Sequence, residues 1–198
     1  MLLRMYLPIF LLLYLMVAFV LPSWRVYKET GINPVTFKNS DNAHDYIGVV
    51  MKVLIGLLVV AVLFFSISPN LYQYLVPVSY LDNQMVQTTG LILIHLSLIW
   101  LMIAQYQMHQ SWRIGIDEEN RTELVTRGLF SRSRNPIFVG MIGSVIGLFL
   151  ILPNALLFAV VVTTYIVIQI QIRLEEQFLT NTHGDVYKQY RSKVRRMI

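Results

Sequence analysis

From Tyr46 to Ser68 the chain runs through 23 residues with a single charged side chain, Lys52. An apolar run of this length reads as a transmembrane helix. In hydrocarbon every backbone N–H and C=O must be paired within the protein, and a helix does this alone. Four further blocks resemble it: Leu2–Leu21, Met85–Tyr106, Pro136–Leu152 and Ala155–Ile172. The chain is 56% hydrophobic and 14% charged, with mean hydropathy +0.57, whereas soluble domains average about 45–50% apolar residues. The first block is long for a signal peptide, and "LPSW" is a poor cleavage site, so it reads as a mature helix. Pro136 at a first helical turn removes no intrahelical hydrogen bond. Pro153 and Asn154 make a tight turn, so the fourth and fifth blocks form an antiparallel hairpin. The fourth is short and is expected to be tilted or shielded by protein. There is no cysteine, so disulfide, thiolate and cysteine–metal chemistry are excluded. The expected fold is an all-α integral membrane protein of about five transmembrane helices with a C-terminal cytoplasmic helix. Residues 1–106 form a three-helix membrane region. Residues 107–198 form a second region within one structural unit.

Basic residues set the expected orientation. Arg25, Lys28 and Lys38 follow the first block. Arg113, Arg121, Arg127, Arg132 and Arg134 follow the third. Arg173, Lys188, Arg191, Lys193, Arg195 and Arg196 follow the fifth. With five spans these three segments lie on one side, and only Arg4 lies on the other. Lys52 sits two turns inside its span and can snorkel. The positive-inside rule puts the basic side and C-terminus in the cytoplasm and the N-terminus outside, in a bacterial inner membrane. The net charge of +5 then reflects topology and attraction to anionic membrane lipids. No nucleic-acid-binding motif accompanies the basic residues.

Polar residues collect in the later spans. The first two spans read as lipid-facing walls. His95 lies at mid-membrane depth in the third. It reads either as a neutral histidine bonded to a neighbouring helix or as a proton acceptor or substrate contact. Gly143 and Gly147 form a small-xxx-small pair, suited to close packing against the third or fifth span, to a flat ligand, or to a homodimer. On the fifth span Tyr165, Gln169, Arg173 and Glu176 share one helical face. Arg173 and Glu176 could be an i, i+3 ion pair or part of a ligand site. The hairpin brings Arg132, Arg134 and Asn135 to Arg173, Glu175 and Glu176. A pocket of guanidinium, amide and carboxylate groups suits a zwitterionic ligand. The segment Ser23–Asp45, with Trp24 and Tyr27, reads as a connector rather than a substrate-gating loop. The four histidines show no metal-ligand spacing, and no metal is expected.

The stretches "ELVTRGLFSRSRNPIFVG" and "RLEEQFLTNTHGDVYKQYRSKV", separated by an apolar hairpin, resemble the isoprenylcysteine carboxyl methyltransferase and phospholipid methyltransferase superfamily. The matching positions are Leu124, Val125, Gly128, Phe130, Arg134, Pro136 and Phe138, then Arg173, Glu175, Glu176, Leu179, Gly184, Tyr187 and Tyr190. The likeness covers about Gln107 to Val194. Asn135 stands where the family has histidine, so that position cannot change charge near neutral pH. Phe138 replaces a tyrosine, and His183 a phenylalanine.

The resemblance implies methyl transfer from S-adenosylmethionine at the cytoplasmic face to a lipophilic small molecule or lipid carrying a carboxylate, amine or thiol. It implies a cofactor held by Leu124, Val125, Gly128, Arg134, Asn135, Pro136, Glu175, Glu176 and Tyr187. Arg173 and Glu176 are then the candidate catalytic residues. His95, Phe138, Tyr165 and Gln169 are candidates for contacts to the acceptor. Two rival readings are a non-catalytic membrane protein that binds anionic lipid headgroups and a nicotinamide-dependent reductase of related architecture. The Glu175–Glu176 pair argues against a site built for anionic lipid.

Overall fold

The computed structural model describes residues 2–38, 40–120 and 122–198. Arg121, counted above among the basic residues, lies outside them. Four helices are long and apolar enough to cross a bilayer: α1 (Leu2–Thr30), α2 (Ala43–Ile67), α3 (Gln84–Met108) and α5 (Ala155–His183). The shorter apolar α4 is Pro136–Ile151, and α6 (Asp185–Lys193) follows α5. The all-helical membrane fold of about five spans is thus the fold observed. Asparagine starts three of these helices. Asn42, Asn83 and Asn154 each accept a hydrogen bond from a first-turn amide, satisfying a donor that has no helical partner.

Two helices outrun their apolar blocks. α1 does not stop at Leu21 but continues to Thr30, where Gly31 closes it at φ 72°. It passes through one π-helical turn, Met16–Val20, immediately before Pro22. Pro22 has no N–H to offer the Ala18 carbonyl. Gln105 Nε2 of α3 donates to that oxygen instead, at 2.6 Å. The proline therefore leaves no orphaned acceptor, and the helix survives it. α5 likewise passes Ile172 and ends at His183. At 1.5 Å per residue it is about 43 Å long, well beyond a hydrocarbon core of about 30 Å. Its last turns therefore project past the lipid.

α4 is wedged against α3. A Cβ on Gly147 would lie 2.6 Å from Ile94 Cγ2 and 3.0 Å from the Gly90 carbonyl. One on Gly90 would lie 2.7 Å from the Gly147 carbonyl, and Gly143 abuts Ser97 Oγ. Close packing against the third span is the use made of these glycines. That contact occupies the face that a homodimer through Gly143 and Gly147 would need. Trp100 Nε1 donates to the Pro136 carbonyl at 2.8 Å and pins the start of α4 to α3.

The loops gather at opposite ends of the bundle. At one end Val78 N donates to Pro153 O at 2.8 Å, beside the hairpin turn. At the other, Ile114 N donates to Pro34 O at 2.8 Å and Arg134 N to Arg195 O at 2.9 Å. The three basic segments therefore converge on one end, as an odd number of spans requires.

Candidate functional site

A cavity of about 380 Å³ opens at the basic end, within the size range of small-molecule sites. α1 contributes Ala18 and Phe19, α2 Met51 and Lys52, α3 Gln105, α4 Pro136 and Phe138, α5 Gln171 and Glu175, and α6 Tyr187 and Tyr190. The first two spans are therefore walls of the cavity as well as faces toward lipid. The segment before α2 is more than a connector, because Val35 and Phe37 also reach the cavity. Of the residues expected at a site, Leu124, Val125, Arg134, Asn135, Pro136, Phe138, Glu175 and Tyr187 line it.

Glu176 takes another role. It is 5% exposed and sits between two guanidinium groups. Arg134 Nη2 lies 2.6 Å from Oε1, and Arg196 Nη2 lies 2.7 Å from Oε2. Arg134 Nη1 donates to the carbonyls of Arg191 (3.1 Å) and Val194 (2.5 Å), and Asn135 Nδ2 to that of Arg196 (2.9 Å). Asn135, in place of a histidine, is therefore a backbone clamp. The C-terminal segment is strapped across the start of α4, and Glu176 is the counter-charge at its centre. With its Nε bond to Glu176, four of the five N–H donors of Arg134 are engaged within the chain.

Next to this clamp, Glu175 faces the cavity. Its hydrogen bond comes from a neutral group, Gln171 Nε2 at 2.8 Å, one helical turn away. Tyr187 lines the same cavity and is 1% exposed. Burial, then the Glu176 charge, pushes the Tyr187 hydroxyl up to about 12, so it stays a neutral phenol. Tyr190, also raised to about 12 by burial first, donates to the Phe130 carbonyl at 2.6 Å and fixes α6 over the cavity. Arg113, a further wall residue, is paired with Asp117 at 2.8 Å.

The remaining expected residues lie elsewhere. Arg173 is exposed on α5, and its Nη1 donates to Gln169 O (2.5 Å) and Oε1 (3.1 Å) of its own helix. It is not the partner of Glu176 and does not line the cavity. Tyr165, 52% exposed, shares that outward face with Gln169. Tyr165, Gln169 and Arg173 point away from the bundle, whereas Glu176, expected on the same face, is buried in the clamp. His95 has the structural role. Its Nδ1 donates to Leu91 O, so its Nε2 accepts from the Tyr6 hydroxyl of α1, each at 2.7 Å. Gly128 adopts φ 67°, which favours glycine, and abuts Gln107, whose Oε1 accepts from Leu129 N at 2.8 Å. It shapes the loop rather than the cavity.

Sequence reasoning missed Gln171, Gln105, Lys52 and Trp112. Gln171 had a signal, since it precedes Glu175 by four residues and shares its helical face. Trp112 is 3% exposed in a loop, and no periodicity marks it.

Residues 84–186 match the phospholipid methyltransferase family. Comparison with individual curated proteins gives no significant match. The matched residues run from the start of α3 into α6. They include the glycine seam, the Arg134–Pro136 turn, the hairpin and the Gln171–Glu176 turn. These elements build most of the cavity, and the match spans just over half of the 198 residues. The chain therefore belongs to the phospholipid methyltransferase family, a group of membrane methyltransferases.

Proposed function

We propose that the chain transfers a methyl group from S-adenosylmethionine to a lipophilic acceptor that enters from the bilayer at the cytoplasmic face. One observation carries this reading. A carboxylate, Glu175, faces the cavity and has no cationic partner among the described residues. A carboxylate in such surroundings is costly unless a cation joins it. A sulfonium-bearing amino acid supplies one, while Trp112, Phe130 and Tyr187 offer apolar walls for the adenosine. The residues present thus fit that donor. When bound, S-adenosylmethionine supplies an activated methyl group that needs no further activation by the protein.

The chain's own residues have four tasks. Leu124, Val125, Pro136 and Tyr187 wall the donor side. Glu175 meets positive charge, and it accepts the proton that an ammonium must lose before its nitrogen can attack. Arg134, Asn135, Glu176 and Arg196 hold the C-terminal segment closed and exclude water, so Glu176 is a positioning residue. Phe138, on the first turn of α4, borders the acceptor. Alignment and dehydration account for the rate in such a displacement. In the same proposal residues 107–198 are the donor-binding region and 1–106 the membrane region. The basic end faces the cytoplasm of a bacterial inner membrane, and the N-terminus lies outside.

The test is a calorimetric titration of the detergent-purified chain with S-adenosylhomocysteine, beside Glu175→Gln. Micromolar binding that the variant weakens at least tenfold is expected. A folded wild-type chain that fails to bind overturns the reading. Glu175→Gln is the cleaner substitution because it leaves both Glu176 ion pairs in place.

A further inference from the structure

The two reactants of the proposed transfer come from different solvents. The acceptor is lipophilic, whereas the donor is charged and water-soluble and needs a route from water to the main cavity. Two stretches outside the five spans form that cavity's wall at the basic end. One is the C-terminal segment with α6, fastened by both Glu176 ion pairs, by Asn135 and by the Tyr190 hydroxyl. The other is the stretch 34–37 between α1 and α2, from which Val35 and Phe37 line the cavity. Its ends are firm. Gly31 closes α1 on one side, and on the other Asp45 accepts from the Lys38 and Ser40 amides at 2.8 and 3.0 Å. Its middle is held by three hydrogen bonds to Ile114. Ile114 N donates to Pro34 O at 2.8 Å, and Ile114 O accepts from Thr36 N and Oγ1 at 3.1 and 3.0 Å. Phe37 stacks on His44, with ring centroids 4.6 Å apart, and lies against Gly48 of α2. His44 Nε2 accepts from Ile116 N at 2.8 Å and ties the Ile114 side to α2. The Lys38–Glu119 ion pair is exposed at both partners, so it adds little.

Beyond this stretch lies a second cavity of about 630 Å³, whose lining includes Asn33, Ser40, Asn120, Gln177 and Asn181. Val35 and Phe37 line both cavities, so the wall between them is there a single layer of chain. We propose that the second cavity is the water-side port for the methyl donor and its demethylated product, and that residues 34–37, closed against Ile114, are its door. This rests on the methyl-transfer reading above and adds the donor's route to it. Amide side chains both donate and accept, so they suit the ammonium, carboxylate and ribose hydroxyls of a ligand in transit. When the door is shut, Val35 and Phe37 turn apolar surface to the main cavity and keep water from the reacting atoms. Opening it breaks three hydrogen bonds between neutral groups. Lifting the C-terminal segment would instead part Glu176 from Arg196, and separating a buried charge from its partner is the costlier event. Loop motions of this kind set turnover in many enzymes.

The experiment follows S-adenosylhomocysteine binding to the full chain in detergent by stopped flow. Tryptophan fluorescence reads it, since Trp112 lines the main cavity. The chain has no cysteine, so introduced thiols are the only ones present. Val35 and Ile114 form an isolated parallel bridge, and the spacing of paired strands, about 4.8 Å, suits a disulfide. In Val35→Cys with Ile114→Cys, oxidation is expected to slow association and dissociation at least tenfold each, reversibly on reduction, with affinity within threefold of the reduced form. Asn181 lines the second cavity, not the main one, and is exposed. A bulky maleimide on Asn181→Cys is expected to slow association at least fivefold with affinity within threefold of the unlabelled variant. Lys38→Gln is expected to speed both rates about two- to fivefold. The Asn181 label tests the port even if the paired cysteines fail to fold. Association unchanged by that label overturns the proposal, as does a tenfold acceleration by Arg196→Gln, which would send the donor past the C-terminal segment. Either result leaves methyl transfer intact if the wild type binds S-adenosylhomocysteine. A folded wild type that fails to bind it removes both readings.

Discussion

The α3–α4 seam and the Glu176 clamp hold the same hairpin by opposite means. At the seam Gly90, Gly140, Gly143 and Gly147 let two backbones approach closely, because a Cβ at any of them would collide with the facing helix. At the clamp one carboxylate gathers two guanidinium groups from segments far apart in sequence. The difference follows from the solvent. Lipid tails are as apolar as leucine, so helices inside the bilayer gain from closeness rather than from hiding apolar surface. Where α5 leaves the lipid, charges can be hydrated before they are enclosed, and ion pairs become usable. The clamp satisfies Glu176 within the chain, while its neighbour Glu175 lines the cavity without an ion pair among the described residues.

Several substitutions break or sharpen this contrast. The largest effect is expected from Glu176→Gln, which leaves Arg134 and Arg196 partly enclosed without a counter-charge. Removing one partner of a buried pair costs about 3–5 kcal/mol. Thermal unfolding in detergent reads it, and a loss below about 1 kcal/mol would mean that the clamp is solvated and dispensable. Gly147→Val comes next. Its side chain would collide with Ile94 and the Gly90 carbonyl, and overpacking of this kind costs about 1–3 kcal/mol. An unaltered melting temperature would show that α3 and α4 can separate freely. Gln105→Leu follows, at about 1 kcal/mol for the stranded Ala18 carbonyl, checked by the same melt.

A smaller effect depends on pH. Burial alone would push the Asp117 carboxyl up, but hydrogen bonds from Arg113 and Asn120 outweigh it and hold the group below its ordinary value. The folded pKa is therefore depressed against an unfolded value of about 3.9. The Arg113–Asp117 stabilisation is complete above that value and is lost as pH falls through the folded one. The stability gap between wild type and Asp117→Asn is expected to close on acidification from about pH 5. A gap independent of pH would assign it to packing. The smallest effect belongs to Arg173→Ala on the outward face, within about 0.5 kcal/mol. S-adenosylhomocysteine binding is expected to be unchanged, and a loss of binding would return Arg173 to the site.

The spans and the hairpin were legible because apolar blocks and the Pro153–Asn154 turn are local signals. The meeting of Arg134 with Glu176 was legible for the same reason, since a two-residue turn forces the far ends together. The rotation of α5 was not. Tyr165, Gln169 and Arg173 do share a face, but α5 is apolar nearly all round, and in lipid an apolar face can point either inward or outward. The periodicity that orients a helix in water is therefore silent here, and Arg173 was assigned to the wrong side. Arg196 was counted only as a topological charge, because nothing local ties it to Glu176, twenty residues earlier. The extension of α1 past Pro22 depends on Gln105, some eighty residues away, and no local rule foresees it.

The π turn of α1 has a mechanical consequence. Pro22 cuts a notch in the backbone ladder, and Gln105 is the key that fits it. A slip of α1 along α3 by one turn, about 5.4 Å, would leave the Ala18 carbonyl bare and the Gln105 amide without its acceptor. α1 therefore has one permitted height. Ala18 and Phe19 ride on that segment and line the cavity, so this part of the cavity wall is held at a fixed level along α3.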